Sequence, residues 1–236
     1  ELEIHFDKFP LADIRIMKQV INSDYLTGII GEKYLGKSKQ SLGVKRTGKL
    51  ELKKYKGKLI YSNALNKAQD IKNWVLEGPG QIMFKNGWME MKSKHPDGPD
   101  GHIVYWCNET FPNNFIAQWD FKLKSEYGLC IVFFAAKGEN GESIFNPDLQ
   151  KRNGKFMQYG NGGIKSYHIS YYANTPFSPG RRTSNLQKNP DLYIRSNGLT
   201  DIRPSSHKKH TITLIKNGFH IQLAADAKKV IVWINR

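Results

Sequence analysis

The chain has 236 residues, 39% of them hydrophobic and 12% aromatic, enough to bury the core of one large domain. Its 36 Lys and Arg against 21 Asp and Glu give a net charge of +15, which favours an anionic partner: an acidic glycan, a nucleic acid or an anionic membrane surface. No run of 18 apolar residues predicts a membrane span, and the only two cysteines, Cys107 and Cys130, do not make a zinc pattern.

Residues 1–50 read as a partly helical N-terminal extension. Residues 1–6 suit a strand, and Leu11, Ile14, Ile16, Val20 and Ile21 form an apolar helical stripe. Residues 28–48 are rich in Gly, Lys and Ser and read as loop. The stretch holds too few apolar residues for a core of its own, so it is expected to pack on a main domain spanning 51–236.

From Leu50 onward the pattern is β. Residues 58–62 suggest a short strand, 68–72 a helical turn, and 75–80 a strand followed by a turn. Residues 81–84 and 88–91 form a hairpin across Lys85-Asn86-Gly87, because Asn-Gly supplies the positive φ angles of a tight turn. A long turn at 95–101 leads to His102-Ile-Val-Tyr105-Trp106-Cys107. Residues 115–123 largely alternate apolar and polar, and Tyr127 to Ala136 is a continuous apolar run, as expected of a strand covered on both faces. On Lys165 to Tyr172, Ser166, His168 and Ser170 share one face, and Tyr167, Ile169 and Tyr171 the other.

Residues 138–163 and 174–190 read as long loops, and strands are expected at 192–195, 210–215, 218–223 and 230–234, with a hairpin turn at 216–218. So many short strands with little helix predict an all-β sandwich or jelly roll. Both cysteines lie on predicted strands beside apolar residues, which favours two buried free thiols; whether neighbouring strands bring them into a disulfide is left open.

Several motifs carry a resemblance to a known family. They are Asn73-Trp74, Glu77-Gly78-Pro79-Gly80, Tyr105 to Pro112, Trp119-Asp120-Phe121, Gly128-Leu129-Cys130, Phe133 to Ala136, His168 to Tyr171, and Arg182 to Leu186. Together they resemble the YesU-like family, a domain of unknown function within the concanavalin A-like lectin/glucanase superfamily, over residues 58–235. The resemblance implies a jelly roll of two stacked antiparallel sheets, with any glycan site on the concave sheet and a setting in polysaccharide utilisation. It implies no particular reaction, since fold does not fix function. The family's pattern runs on beyond the last strand, so either the chain is truncated or residues 1–50 fill the edge left there. The chain starts at Glu1 and shows no signal peptide, which fits either the mature form of a secreted or periplasmic protein or a trimmed chain.

Aromatics beside polar groups suit a sugar, whose CH face stacks on a ring while its hydroxyls bond to the neighbours. Hydrolysis needs two carboxylates across the scissile bond; Glu109, Asp120, Glu126 and Glu139 do not pair at strand spacing, and Asp120 faces away from Trp119 and Phe121. The Glu-x-Asp-x-x-Glu motif of the superfamily's retaining glucanases is also absent.

β-Elimination from a uronate needs a base and a group that neutralises the carboxylate. His168 and Tyr171 are the candidate bases, and Arg182 and Asn185 the candidate neutralisers. His102, Tyr105, Trp106, Trp119 and Lys188 are the candidate substrate-binding residues. The plainer roles are a hydrogen-bonded structural histidine for His168, a surface cation for Arg182 and core packing for Trp106 and Trp119.

The expected function is binding, and degradation, of an acidic glycan on the concave sheet; a lectin-like module or a hydrolase is the alternative. No nucleic-acid motif accompanies the charge. No cofactor or metal is expected; structural calcium occurs in the superfamily, but no Asp-rich loop supports it here.

Overall fold

The computed structural model describes residues 50, 52–54, 57–96, 101–175, 181–191, 193–198, 208–218 and 220–234. The expectations for residues 1–49 and for parts of the loops at 97–100, 176–180 and 199–207 lie outside the described residues.

The strands are β1 Val75–Glu77, β2 Gly80–Lys85, β3 Trp88–Ser93, β4 Val104–Trp106, β5 Phe115–Phe121, β6 Gly128–Gly138, β7 Ile164–Asn174, β8 Asn185–Asn189, β9 Tyr193–Asn197, β10 His210–Asn217, β11 His220–Ala225 and β12 Lys228–Ile234. Two four-stranded antiparallel sheets, ordered β12-β11-β10-β5 and β6-β7-β8-β9, form the sandwich. Two ribbons, β1-β4 and β2-β3, complete the described strands. The β2–β3 hairpin turns at Asn86 and Gly87, both at positive φ, as the Asn-Gly pair predicts.

One core lies between the sheets. Phe134, Ile169, Tyr171, Tyr172 and Leu186 from one sheet meet Ile212, Leu214, Ile221, Leu223 and Ala225 from the other, with Trp119 and Phe121 packed against them. A second, smaller core of Trp106, Ile144, Tyr159 and Ile164 gathers Phe133 and Ala136 from β6. The apolar run of β6 therefore has work on both faces, as its composition predicts. A third cluster, Leu50 with Ile215 and Ala224, lies apart from both; Leu50 N–H donates to Ala227 O at 2.7 Å.

Register on β7 carries the main consequence for function. β7 pairs with β6 as Phe133↔His168, Val132↔Ile169 and Ile131↔Ser170, then shifts so that Cys130 faces Tyr172. The extra residue is Tyr171. Such a bulge puts Tyr171 and Tyr172 on the same side, and both join the inter-sheet core.

Two expectations need correction. No strand forms at 58–62: Leu59 is 77% and Ile60 58% exposed, and no described strand pairs with them. An apolar run becomes a strand only where a ladder partner exists. Conversely, part of the 174–190 segment, expected as loop, is β8, whose polar sequence Asn-Leu-Gln-Lys-Asn hides a period-2 pattern around buried Leu186.

Candidate functional site

Ile169 and Leu186 point into the core, so their neighbours on β7 and β8 must point out through the other face of the β6–β9 sheet. The ladder aligns them in three pairs: Ser166↔Asn189, His168↔Gln187 and Ser170↔Asn185. The result is a polar strip built from two adjacent strands.

Its members are bonded to one another. Asn189 Nδ2 donates to Ser166 Oγ at 2.9 Å and lies 3.0 Å from His168 Nδ1. Arg181 Nη2 donates to Ser170 Oγ at 2.7 Å and to Ser170 O at 3.2 Å. Two acceptors are left over: among the described residues, Asn185 Oδ1 and Asn189 Oδ1 find no hydrogen-bond partner, although the residues are only 2% and 0% exposed. Buried carbonyl oxygens without partners are uncommon and costly.

His168 is 1% exposed, and burial is the main cause that brings its pKa down to about 4; the Asn189 contact opposes the drop and the charge of Arg181 adds to it. The ring is therefore neutral at pH 7. Its Nδ1 is taken by Asn189, which leaves Nε2 as the nitrogen for any ligand.

Aromatic rings stand against this strip. Phe133, paired with His168 across the ladder, packs with centroids 5.3 Å apart. Phe156 sits edge-on to His168 at 6.1 Å and tilted against His102 at 5.5 Å. His102 and Phe156 are both half-buried, so this aromatic wall reaches solvent.

The wall is fixed in place by the loop between β6 and β7. Gly78 and Gly154, both at positive φ, close on His102; a Cβ on either would collide with His102 O. Beside that junction, Arg152 Nη2 and Nε donate to Glu77 Oε1 and Oε2 at 2.7 and 3.1 Å, and Nη2 also donates to Ile144 O. Trp106 Nε1 donates to the same Glu77 Oε2 at 3.0 Å. This buried, bidentate ion pair ties the loop that carries Phe156 to β1 and β4.

The structure brings His168, Asn185 and His102 to one region and places the other predicted residues elsewhere. Tyr171 points into the core, edge-on to Trp119 and Phe121, and burial holds its hydroxyl pKa well above the usual tyrosine range. Trp119 is a core residue for the same reason. Trp106 is buried in the small core. Tyr105 packs edge-on to Trp74 on the β1–β4 ribbon, with burial raising its pKa. Arg182 is exposed, and Lys188, also exposed, pairs with Tyr167 and so belongs to the opposite face from His168. Among the described residues, the cation that bonds to the strip is Arg181.

Sequence reading missed Asn189, Gln187 and Phe156 as members of the site. The alternation of amides at 185, 187 and 189 was the available signal for the first two. Phe156 lies in a loop, where no period applies. Cys107 and Cys130 are free thiols; burial pushes Cys130 up to about 12. No group of three or more metal-ligating side chains occurs among the described residues.

Comparison with known proteins adds three findings. The family model described as "Domain of unknown function (DUF1961)" matches residues 58–236. The "Uncharacterized protein YesU" of Bacillus subtilis (strain 168) is 33% identical over 184 residues, covering 76% of this chain and 81% of that protein. A crystal structure of a Bacillus subtilis protein of unknown function with a galectin-like fold aligns with TM-score 0.70 at 31% identity, covering 80% of this chain and 83% of that one. The sandwich is thus of the galectin-like, jelly-roll type.

Proposed function

The chain belongs to the DUF1961 family of domains of unknown function, and from that premise we propose that it is a carbohydrate-binding protein whose ligand is an acidic glycan. The observation that carries the reading is the strip on β7 and β8. It sets half-buried Arg181 and a neutral histidine beside the half-exposed Phe156–His102 wall, on a galectin-like sandwich. The half-exposed ring suits a sugar's CH face. A guanidinium takes a uronate or sulfate in charge-assisted bonds, and the +15 charge draws such a ligand in.

Binding is favoured over β-elimination. A histidine held near pKa 4 is a weak base at neutral pH, and general bases work best with a pKa near the working pH. Tyr171, the other candidate base, opens into the core.

The test is calorimetric titration with a panel of acidic and neutral oligosaccharides at low and high salt, with ultraviolet detection of unsaturated products alongside. Binding of acidic members, weakened by salt, is expected, and Arg181→Ala weakens it at least tenfold while Arg182→Ala does not. Absence of binding at low salt, or equal binding of neutral members, would overturn the reading. Accumulation of unsaturated product would make the protein a lyase instead.

A further inference from the structure

We propose that the protein carries a second ligand site, for a tetrahedral oxyanion such as a sulfate or phosphate group. Lys137, Lys165 and Lys188 form it where the core face of the β6–β9 sheet runs out into solvent. The site is separate from the strip around His168 and does not rest on the reading given above.

That face changes character along its length. On β7, Ile169 is fully buried, Tyr167 is half-buried and Lys165 is exposed. On β8, buried Leu186 is followed on the same face by exposed Lys188. On β6, buried Phe134 gives way to exposed Lys137. All three strands thus turn from apolar to basic at the same end of the sheet.

The ladder fixes how close the lysines stand. Lys137 pairs directly with Lys165, which sets their Cβ atoms about 5 Å apart. Lys188 pairs with Tyr167 and so stands diagonal to Lys165, at about 7–8 Å. Flexible four-carbon stems let the three ammonium groups converge on one anion. Tyr167, stacked on Phe134 with centroids 5.7 Å apart, lies among them.

Two local features count against stability. Like charges directly opposite across a ladder repel, and among the described residues none of the three lysines has an ion pair. Lys165 Nζ donates to Glu139 O, a carbonyl that leaves its charge uncompensated. The second feature is the bulge between Phe134 and Lys137, where Ala135 adopts a φ of 50°. That left-handed conformation is unfavourable for a residue with a Cβ. Without the extra residue, Ala136 would stand opposite Lys165, and Lys137 would leave through the other face. The bulge therefore aims one lysine at another, and a bound anion offsets the repulsion.

The geometry selects the anion. Each ammonium is a point charge with its own N–H donors, and the three come from three strands. A tetrahedral oxyanion has an oxygen for each, whereas a carboxylate has only two.

The test melts the full chain in sodium sulfate and in sodium chloride at equal ionic strength, for the unaltered protein and for Lys137→Glu. Sulfate also stabilises proteins through exclusion from their surface, so the difference between the two proteins is what counts. Sulfate is expected to raise the melting temperature of the unaltered protein more than that of the variant. In chloride the variant should melt higher, because Lys165 then faces an opposite charge. Calorimetry adds inorganic phosphate, a sulfated dextran oligosaccharide and its unsulfated counterpart. Affinity for the sulfated oligosaccharide should fall about tenfold or more in Lys137→Glu. Lys188→Gln should weaken binding without the rise in melting temperature, and it carries the comparison if Lys137→Glu folds poorly.

Phosphate and sulfate binding as tightly as the oligosaccharide would assign the site to a free anion; a preference for the oligosaccharide would assign it to a sulfate carried on a sugar. Equal stabilisation by sulfate and equal affinities in the unaltered protein and both variants would overturn the inference. The acidic-glycan reading, tested at Arg181 on the other face, would stand or fall separately.

Discussion

His168 and Tyr171 stand three residues apart on β7 and leave the sheet through opposite faces. His168 bonds to Asn189 in the polar strip, whereas Tyr171 meets the edges of Trp119 and Phe121 between the two sheets. The same strand thus supplies the floor of the candidate site and the centre of the core. Two residues of similar catalytic promise in the sequence have entirely different surroundings.

Tyr171→Phe is expected to leave glycan affinity unchanged. Its hydroxyl lies in the core against Trp119 and Phe121, so any loss is of stability and small, about 1 kcal/mol. Tyr171→Ala removes the ring as well and should cost roughly 3–5 kcal/mol, by analogy with other large aromatic truncations in cores. Chemical denaturation of both variants, beside titration of the phenylalanine variant, checks this. A large drop in affinity with normal stability would place Tyr171 in the site after all.

The pH dependence of stability should carry the signature of His168. Its pKa is depressed from 6.5 to about 4 in the folded state, so between those values the unfolded chain binds the proton and the folded chain does not. Stability from this group is fully present above pH 6.5, falls as pH drops towards 4, and changes no further below that. At about 1.4 kcal/mol per pH unit, the total loss is roughly 3 kcal/mol. His168→Asn should flatten that part of the curve. Denaturant titrations at pH 7 and pH 4.5 on both proteins measure it, and an equal loss in both would refute the assignment.

The fold was legible because its main signals are local. Asn86-Gly87 dictates its turn, the apolar run of β6 dictates a doubly covered strand, and the alternation of 166–171 assigns faces without any knowledge of partners. The site was legible only in part, for reasons of register and context. Trp119 looked like a stacking platform because a tryptophan on an alternating strand shows the same pattern whether its face is wet or dry. Arg181 and Arg182 differ in role by one residue at the edge of β8, and sequence gives no measure of which one turns towards Ser170. β8 itself was hidden because its core face is one leucine, Leu186, flanked by polar residues that a loop would equally carry. Glu77 and Arg152 are 75 residues apart, and nothing local announces their pairing.

That pairing yields a further expectation. Glu77 and Arg152 are both almost fully buried and share two hydrogen bonds. Removing one partner strands the other charge, which typically costs about 3–5 kcal/mol. Glu77→Gln keeps the shape and should be milder than Arg152→Ala. Because the pair anchors the loop bearing Phe156, Arg152→Ala should also weaken glycan binding. A double-mutant cycle with stability as the readout separates the pair's own coupling from packing losses; a coupling near zero would show that the two groups act independently.

The N-terminal extension offers the last prediction. Leu50 is buried against Ile215 and Ala224, its N–H bonds to Ala227 O, and Leu52 and Ile116 pack beside it. Ile215, Ala224, Thr213 and Gln222 are all buried, so this surface of β10 and β11 depends on something covering it. We propose that residues 1–50 belong with the main domain as its cover, with Leu50 as the described anchor. Leu50→Ala should cost about 2–5 kcal/mol, as other leucine truncations in cores do. Deleting residues 1–53 bares Ile215 and Ala224 together and should lower the melting temperature by at least ~5 °C, given 2–4 °C per kcal/mol at this chain length. The exposed apolar surface should also promote self-association, visible as a concentration-dependent shift in size-exclusion elution. A truncated chain that melts at the same temperature and stays monomeric would show that the sandwich needs no such cover.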